Sequence, residues 1–479
     1  MKKRIAILGA GPAGLSLAFN LLKKQNNDFE VIIFDRESVT GGISASFSKH
    51  GLYFDYGSHR LHPSVSSHIY NDLKNVLGDS LLTRPRNGRI RLLNRFVKFP
   101  LNPVDAALHL PPHFMLGVMK DSASKPFRRK NASYSTFKDI LLEGLGETIC
   151  TKFYFPYAEK LWGLKPELLA AEQAKKRVAS NSITKIIKKA FSSLSGKNSK
   201  SGAIFYYPAK GFGMIPEAYG QEVEKMGGII RLKNEIKGIN QLDNSRYEII
   251  TESLEDSAGN KSQKHEFDFV FSTIPLDHMV KIIKPAVPQK ISEASSSLRY
   301  RGMLFHYLIL KTDQFTPYDA HYIPEKEFIF SRLSETKNYY SSKEPVGITG
   351  ICSEIPCMKD DNLWNLLDDE ITKRVISDLN KCGLSVNVPV VDSFVKKLPT
   401  VYPIYDMAFA QNFDTVDKYF KDLPNFVILG RQGLFVHDNA HHTFDMGYKA
   451  SDCLGSDLSW DKNKWDKYRE GFKDNVVVD

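Results

Sequence analysis

At 479 residues the chain is too long for one simple hydrophobic core, so two or three subdomains are expected. With 42% hydrophobic and 25% charged residues it has the composition of a soluble globular protein rather than of a fibrous or disordered one. Its 65 basic and 55 acidic residues leave a formal net charge of +10, which suits an anionic small molecule, and no DNA- or RNA-binding motif accompanies it.

The five cysteines, Cys150, Cys352, Cys357, Cys382 and Cys453, show neither a CxxC pair nor metal-ligand spacing, and such a scattered set fits a reducing cytoplasm. Met1-Lys2-Lys3-Arg4 before an apolar run has the look of a secretion signal. Glycines interrupt that run within a few residues and the fold has a use for it, so a cytoplasmic location is expected. No apolar stretch approaches the length that spans a bilayer.

In chain order, Ile5-Ala6-Ile7-Leu8 reads as a buried strand running straight into Gly9-Ala10-Gly11-Pro12-Ala13-Gly14, and Leu15 to Leu22 then have helical apolar spacing. Val31-Ile32-Ile33-Phe34 is a second buried strand, ending in Asp35 with Arg36 beside it. Strand, glycine turn, helix, strand and acid in this order form a dinucleotide-binding fingerprint. Gly9 permits the tight turn, Gly11 lets backbone approach a pyrophosphate, and Gly14 lets helix and strand pack closely. The helix start at Pro12-Ala13 offers N–H groups and a positive dipole end to phosphate, and Asp35 would accept hydrogen bonds from a ribose.

Thr40-Gly41-Gly42-Ile43-Ser44-Ala45 adds a glycine pair beyond the acid, and Gly51 to His59 reads as a turn and strand ending Asp55-Tyr56-Gly57-Ser58-His59. An extended FAD needs a second close backbone approach near its ribityl and flavin end, which Gly41, Gly42, Gly57 and Ser58 would provide. The further pattern of an NAD dehydrogenase is absent. FAD is therefore the expected cofactor, and the whole block resembles FAD-binding chains of the amine oxidase and protoporphyrinogen oxidase type.

Residues 76–204 look mainly helical. Within them Ile183 to Phe191 is a basic amphipathic stretch, read first as a helix facing its own domain and second as a membrane-surface contact. Ser193 to Ser201 reads as a loop. Tyr206 to Gly213, then a helix from Ile215 to Met226, opens a second piece of the nucleotide domain. Gly228 to Leu232 and Asn234 to Ile239 read as neighbouring strands, with Ile236 a candidate backbone contact to adenine. Glu252 to Lys264 is a polar loop by composition, and Phe267 to Pro275 a buried strand. Residues 276–394 carry alternating strands such as Met303 to Leu310, suggesting a sheet over the flavin. Asn425 to Arg431 reads as a strand and turn, and a final helix is expected from Asp445 to Leu454. The expected fold class is α/β. A Rossmann-type FAD domain is assembled from residues 1–75, 205–275 and 395–479, with a mainly helical insert at 76–204 and an antiparallel-sheet substrate domain at 276–394.

Several later motifs resemble the UDP-galactopyranose mutase group of the amine oxidase-like flavoproteins, in order over nearly the full length. Phe155-Pro156-Tyr157-Ala158-Glu159-Lys160-Leu161-Trp162-Gly163 is similar to its Pro-Tyr-x-x-Lys-x-Trp-Gly segment, and Phe205-Tyr206-Tyr207-Pro208 to its Phe-x-x-Pro. The resemblance implies that Arg177, Arg332 and Tyr402 hold a substrate diphosphate, that His59 lies close to the flavin, and that Gly430, Arg431, Asn439 and His442 complete the site. The chain departs from the group at His437-Asp438-Asn439-Ala440-His441-His442, where His437 replaces a diphosphate-contacting tyrosine. That histidine-rich run could suggest a metal site, but no further ligand cluster supports one and none is expected.

Arginine forks match diphosphate oxygens bidentately and tyrosine hydroxyls add neutral donors, so the residue types fit a nucleotide-sugar or another anionic small molecule. Taken alone, Arg177 and Arg332 read equally well as surface ion-pair partners, His59 can be a core histidine, and Tyr157 and Trp162 read as core. The resemblance implies a pyranose/furanose mutase in which reduced flavin is the nucleophile, with NAD(P)H or another reductant as a partner. The rival expectation is a true oxidoreductase of the same superfamily, taking hydride from an amine, porphyrinogen or polyprenyl-type substrate.

Overall fold

A strand whose side chains are all apolar has to be covered on both faces, and Ile5, Ala6, Ile7 and Leu8 each have 0% exposure. The computed structural model describes residues 2–24, 28–100, 102–125, 135–177, 204–255, 262–340 and 342–477. Lys3–Leu8 is central in a five-stranded parallel sheet ordered Phe426–Ile428, Phe269–Ser272, Lys3–Leu8, Phe29–Phe34, Ile229–Arg231. Strands from three distant parts of the chain thus build one nucleotide-binding layer, and the α/β class is as expected. Asp55 fastens two of those parts together, accepting hydrogen bonds from Ser46 Oγ, Tyr207 Oη and the Phe212 amide.

The helix Pro12–Lys24 packs against the late helix Ala440–Ser451. A Cβ on Gly447 would lie 2.1 Å from Ser16 Oγ and 2.5 Å from the Ala13 carbonyl oxygen, so only glycine allows this approach. The late helix begins at Ala440, not at Asp445 as expected. Asn439 has extended backbone and serves as its N-cap, which places His441 and His442 in the first turn.

Two strand expectations need correction. Ile229–Arg231 and Asn234–Gln241 are not neighbours, because Lys233 (φ +53°) turns the chain between them. The second strand instead joins Tyr247–Ser253, Ser262–Phe267 and Ile283–Lys284 in a four-stranded sheet. The polar run Glu252 to Lys264 ends one of those strands and begins the next, with Glu252 opposite Ser262, while 256–261 lie outside the described residues. Its polarity is compatible with a strand because Ser262, Gln263 and Lys264 face solvent.

The third sheet has seven strands ordered Val390–Pro403, Tyr300–Leu310, Thr349–Cys357, Arg332–Glu335, Ala320–Tyr322, Gly88–Leu92, Arg95–Phe99. Met303 to Leu310 shows the period of two. Leu304, Leu308 and Leu310 pack with Ile371, Val375 and Leu379 of the helix Asp368–Lys381. Met303, Phe305, Tyr307 and Ile309 pack with Leu52, Phe54 and Val401 on the opposite side.

Residues 76–204 are less helical than expected at their start. Leu81–Pro85 pairs with Ile204–Pro208, and the hairpin Gly88–Leu92/Arg95–Phe99 extends the seven-stranded sheet. Leu93 and Asn94 at φ +52° and +63° make its two-residue turn, a geometry that Leu93 does not advertise. Helices Pro103–His109, Pro112–Ser124, Phe137–Leu145, Phe155–Trp162 and Ala171–Arg177 follow. The division anticipated at 394/395 falls inside the strand Val390–Pro403. Ile183 to Phe191 and Ser193 to Ser201 lie outside the described residues. Among the described residues no helix is long and apolar enough to cross a membrane.

Gly447→Ala should lower stability by about 1–3 kcal/mol through overpacking. A denaturant midpoint unchanged from wild type would show that the two helices can separate without loss. A second expectation concerns pH. Burial holds five histidines neutral: His59, His306 and His441 are pushed down to about 3, His321 to about 4, and His437 well below its ordinary value. In the unfolded chain each takes up a proton near pH 6.5. Their contribution is therefore complete above pH 6.5 and declines below it, by up to about 1.4 kcal/mol per pH unit for each histidine. Denaturation at pH 7 and pH 5 measures this, and equal stability at the two would refute it.

Candidate functional site

A cavity of about 800 Å³ runs from the glycine turn at the head of the parallel sheet to the inner face of the seven-stranded sheet. At the first end Gly9 (φ +108°) donates its N–H to the Phe34 carbonyl at 2.8 Å, and Ala10 N–H donates to Asp35 Oδ2 at 2.7 Å. Gly41 N–H donates to the Ala10 carbonyl at 2.8 Å, so the second glycine pair is tied to the first turn. A Cβ on Gly11 would meet nothing within 4 Å, which leaves the N-terminus of the helix Pro12–Lys24 open to the cavity. Gly42 faces that opening, and the nearest atom to a Cβ there is Gly11 Cα at 3.8 Å.

Asp35 also accepts from the Glu37 amide at 2.9 Å, and burial pushes its carboxyl pKa up. Arg36 is exposed at the rim and pairs with Glu37 at 3.2 Å. Ile236 is buried on the facing wall, one residue before a bulge. An open helix N-terminus, glycines that leave room beside it and an acid at the second strand end fit a dinucleotide pyrophosphate and ribose.

The other end is lined with guanidinium groups. Arg332 and Glu354 are directly opposite on adjacent strands, and Arg332 Nε and Nη2 donate to Glu354 Oε1 and Oε2 at 2.7 and 2.8 Å. Glu354 Oε1 also accepts from the Ser58 amide at 2.8 Å, and Ser58 Oγ lies 2.6 Å from Tyr339 Oη. His59 follows, its ring stacked on Phe212 at 5.4 Å. Burial, then the Arg332 and Arg431 charges, hold it neutral.

Arg177 ends the helix Ala171–Arg177 and lies 4.8 Å from the Tyr402 ring centre and 5.1 Å from that of Trp162. Arg431 lies 4.7 Å from the same tyrosine ring and donates Nη2 to the Val401 carbonyl at 2.8 Å. Among the described residues no carboxylate is within ion-pairing distance of Arg177, and its buried Nε has no hydrogen-bond partner. Asp438, whose side chain is 0% exposed, has His442 Nδ1 at 3.2 Å and no well-aligned donor on either oxygen. The guanidinium groups along the wall fit an anionic ligand.

Nearly all the expected site residues line this cavity: His59, Arg177, Arg332, Tyr402, Asn439, Gly9, Gly11, Pro12, Ala13, Asp35, Arg36, Gly41, Gly42, Ser58, Ile236, Gly430 and Arg431. Gly14, Gly57 and His442 stand behind the wall instead. A Cβ on Gly14 would lie 2.1 Å from the Gly9 carbonyl oxygen, and one on Gly57 2.8 Å from Glu354 Oε1, so both serve close packing. His442 Nδ1 lies 3.3 Å from the Asn439 amide and braces the helix start. His437 does not reach the cavity either. It is fully buried against Trp162 and Tyr405, so the departure from the resembled tyrosine removes a hydroxyl without placing an imidazole in its stead. Of its neighbours, His441 Nε2 lies 3.2 Å from Ser64 Oγ and His442 Nδ1 3.2 Å from Asp438, with the two rings 4.0 Å apart. Among the described residues no group of three or more His, Cys, Asp or Glu is placed to hold a metal ion.

Sequence reasoning missed Glu354, Arg60 and Asp438, which also line the cavity. Glu354 was detectable as an acid inside an otherwise buried strand, and Arg60 as a cation directly beside His59. Arg60 Nη2 donates to Tyr339 Oη at 2.9 Å and lies 3.4 Å from Asp319. Gly11→Val should leave unfolding within about 0.5 kcal/mol of wild type while abolishing flavin retention. Retention of flavin by that variant would place the pyrophosphate elsewhere.

The family model for flavin containing amine oxidoreductases matches residues 12–443. Protoporphyrinogen oxidase 2, chloroplastic/mitochondrial, of Arabidopsis thaliana is 21% identical over 504 aligned positions, covering 95% of this chain and 93% of that protein. A crystal structure of reduced UDP-galactopyranose mutase superposes with a TM-score of 0.81 at 18% identity, over 100% of this chain and 99% of that one. Wild-type putrescine oxidase bound to putrescine superposes with a TM-score of 0.63 at 13% identity, over 94% and 98%. With a family match that spans most of its length, the chain belongs to the flavin containing amine oxidoreductase family and is a flavoenzyme of that superfamily.

Proposed function

We propose that the protein is an FAD-dependent enzyme acting on a nucleotide-sugar, as a pyranose/furanose mutase. The observation that carries this reading is the group of arginines at the inner end of the cavity, with Arg177 beside Tyr402 and, among the described residues, without a carboxylate partner. The likeness of the fold to UDP-galactopyranose mutase supports it. When bound and reduced, the flavin supplies the nucleophile for the anomeric carbon, and NAD(P)H or another reductant has to reduce it first.

In this reading Arg177 grips the diphosphate with Tyr402, its fork presented at the end of a helix. Arg332 is held rigid by both oxygens of Glu354, so it contributes a fixed direction more than a free charge. Neutral His59 puts no further positive charge beside the flavin ring. A second reading, oxidation of an apolar substrate by hydride transfer, is favoured by the protoporphyrinogen oxidase relative and by the Phe305, Leu398 and Val401 wall.

The test is product analysis of the dithionite-reduced protein, without oxygen, on nucleoside-diphosphate hexoses in both ring forms. Interconversion that needs reduced flavin is expected, with kcat/KM falling about 10- to 100-fold in Arg177→Ala through loss of a charge-assisted contact. Absence of interconversion with flavin bound would transfer the argument to the oxidoreductase.

A further inference from the structure

The helices Pro103–His109 and Pro112–Ser124 lie on the outer side of the hairpin Gly88–Leu92/Arg95–Phe99. Inward, Leu110 and Phe114 are buried, and Ala106, Met115 and Val118 pack with them around Ile90, Leu92 and Val97. Outward, the helices show apolar side chains again: Val104 is 52% exposed, Leu108 77%, Leu116 66% and Met119 65%. On the second helix Pro112, Leu116, Met119 and Ala123 recur at helical spacing and are all exposed, so they form one stripe. No other stretch of the described residues gathers as many exposed large apolar side chains. An apolar patch of this kind marks an interaction surface.

Charge selects the partner. The two acids of these helices are turned away from the stripe. Asp105 accepts from the Lys98 amide at 2.7 Å, and Asp121 accepts from the Thr148 amide at 2.7 Å. The exposed polar groups around the apolar side chains are His109, His113 and Lys120, with Arg95 and Lys98 at the adjoining hairpin. A second copy would set this cationic rim against itself, in a chain that already carries +10. The helices, 7 and 13 residues long, are too short to span a bilayer but suited to lie in its interface.

We propose that this face docks on an anionic lipid surface, with Val104, Leu108, Leu116 and Met119 entering the interface and Arg95, Lys98 and Lys120 facing acidic headgroups. The full chain is sedimented with vesicles of phosphatidylcholine alone and of phosphatidylcholine with phosphatidylglycerol at about 3:1. Binding is expected only to the anionic vesicles and is expected to weaken as salt is raised. The variant Leu108→Ser/Leu116→Ser/Met119→Ser should bind at least about tenfold more weakly with its melting temperature unchanged, because these side chains are exposed. Lys98→Glu/Lys120→Glu tests the charge separately, without touching the apolar stripe, and should weaken binding as well. No binding to anionic vesicles, or binding undiminished in both variants, overturns the proposal. So does a dimer that the triple-serine variant dissociates in the absence of vesicle binding, since the face would then belong to a second copy.

Discussion

Keeping several guanidinium groups out of water around one cavity is the constraint on which this structure depends. An uncompensated buried charge costs several kcal/mol, so each such group needs a designed surrounding. Arg332 has a cross-strand carboxylate opposite it in register, Arg60 has Asp319 and two tyrosine hydroxyls, and Arg431 has a backbone carbonyl and the Tyr402 ring. Among the described residues, Arg177 meets the aromatic faces of Trp162 and Tyr402 and no carboxylate. That inequality separates charges with a hydrogen-bonding partner among the described residues from one held between rings.

The same compensation joins the layers. Glu354 holds Arg332 within the seven-stranded sheet and, through the Ser58 amide, the loop that carries His59. Gly57 has to be glycine because the carboxylate occupies the space of its Cβ. Asp55 then binds the preceding strand to Tyr207 and Phe212, from the second piece of the nucleotide domain. Buried polar contacts thus join the seven-stranded sheet, the loop that carries His59 and the segment around Tyr207 and Phe212. Their specificity comes from hydrogen bonding in a low-dielectric interior, where an unmatched partner is heavily penalised.

Legibility in the sequence followed the range of the interactions. Gly9, Gly11, Gly14 and Asp35 sit in one contiguous block whose spacing is set by local geometry, and they occur where that spacing demands. The run Met303 to Leu310 likewise announced a strand, while its burial on both faces came from the structure. Leu93-Asn94 gave no comparable sign, because an αL turn with leucine at its first position is imposed by the strands it connects. The hairpin it closes was consequently read as part of a helical segment. The surroundings of the histidine-rich run were not legible in the sequence either. Its members lie close in sequence, yet the helix start at Asn439 leaves His437 in the core against Trp162 while the His441 and His442 rings lie 4.0 Å apart.

The sequence by itself determined the nucleotide fingerprint, the α/β class and most of the residues that line the cavity, since each depends on local spacing or on a residue type suited to a single task. Only the tertiary structure decided which charges are already paired, which glycines serve packing rather than a ligand, and that His437 lies in the core. Those outcomes depend on contacts between residues hundreds of positions apart, such as Ser58 with Glu354 and Ser16 with Gly447. Burial and electrostatic compensation are properties of the assembled layers, and no window of sequence contains them.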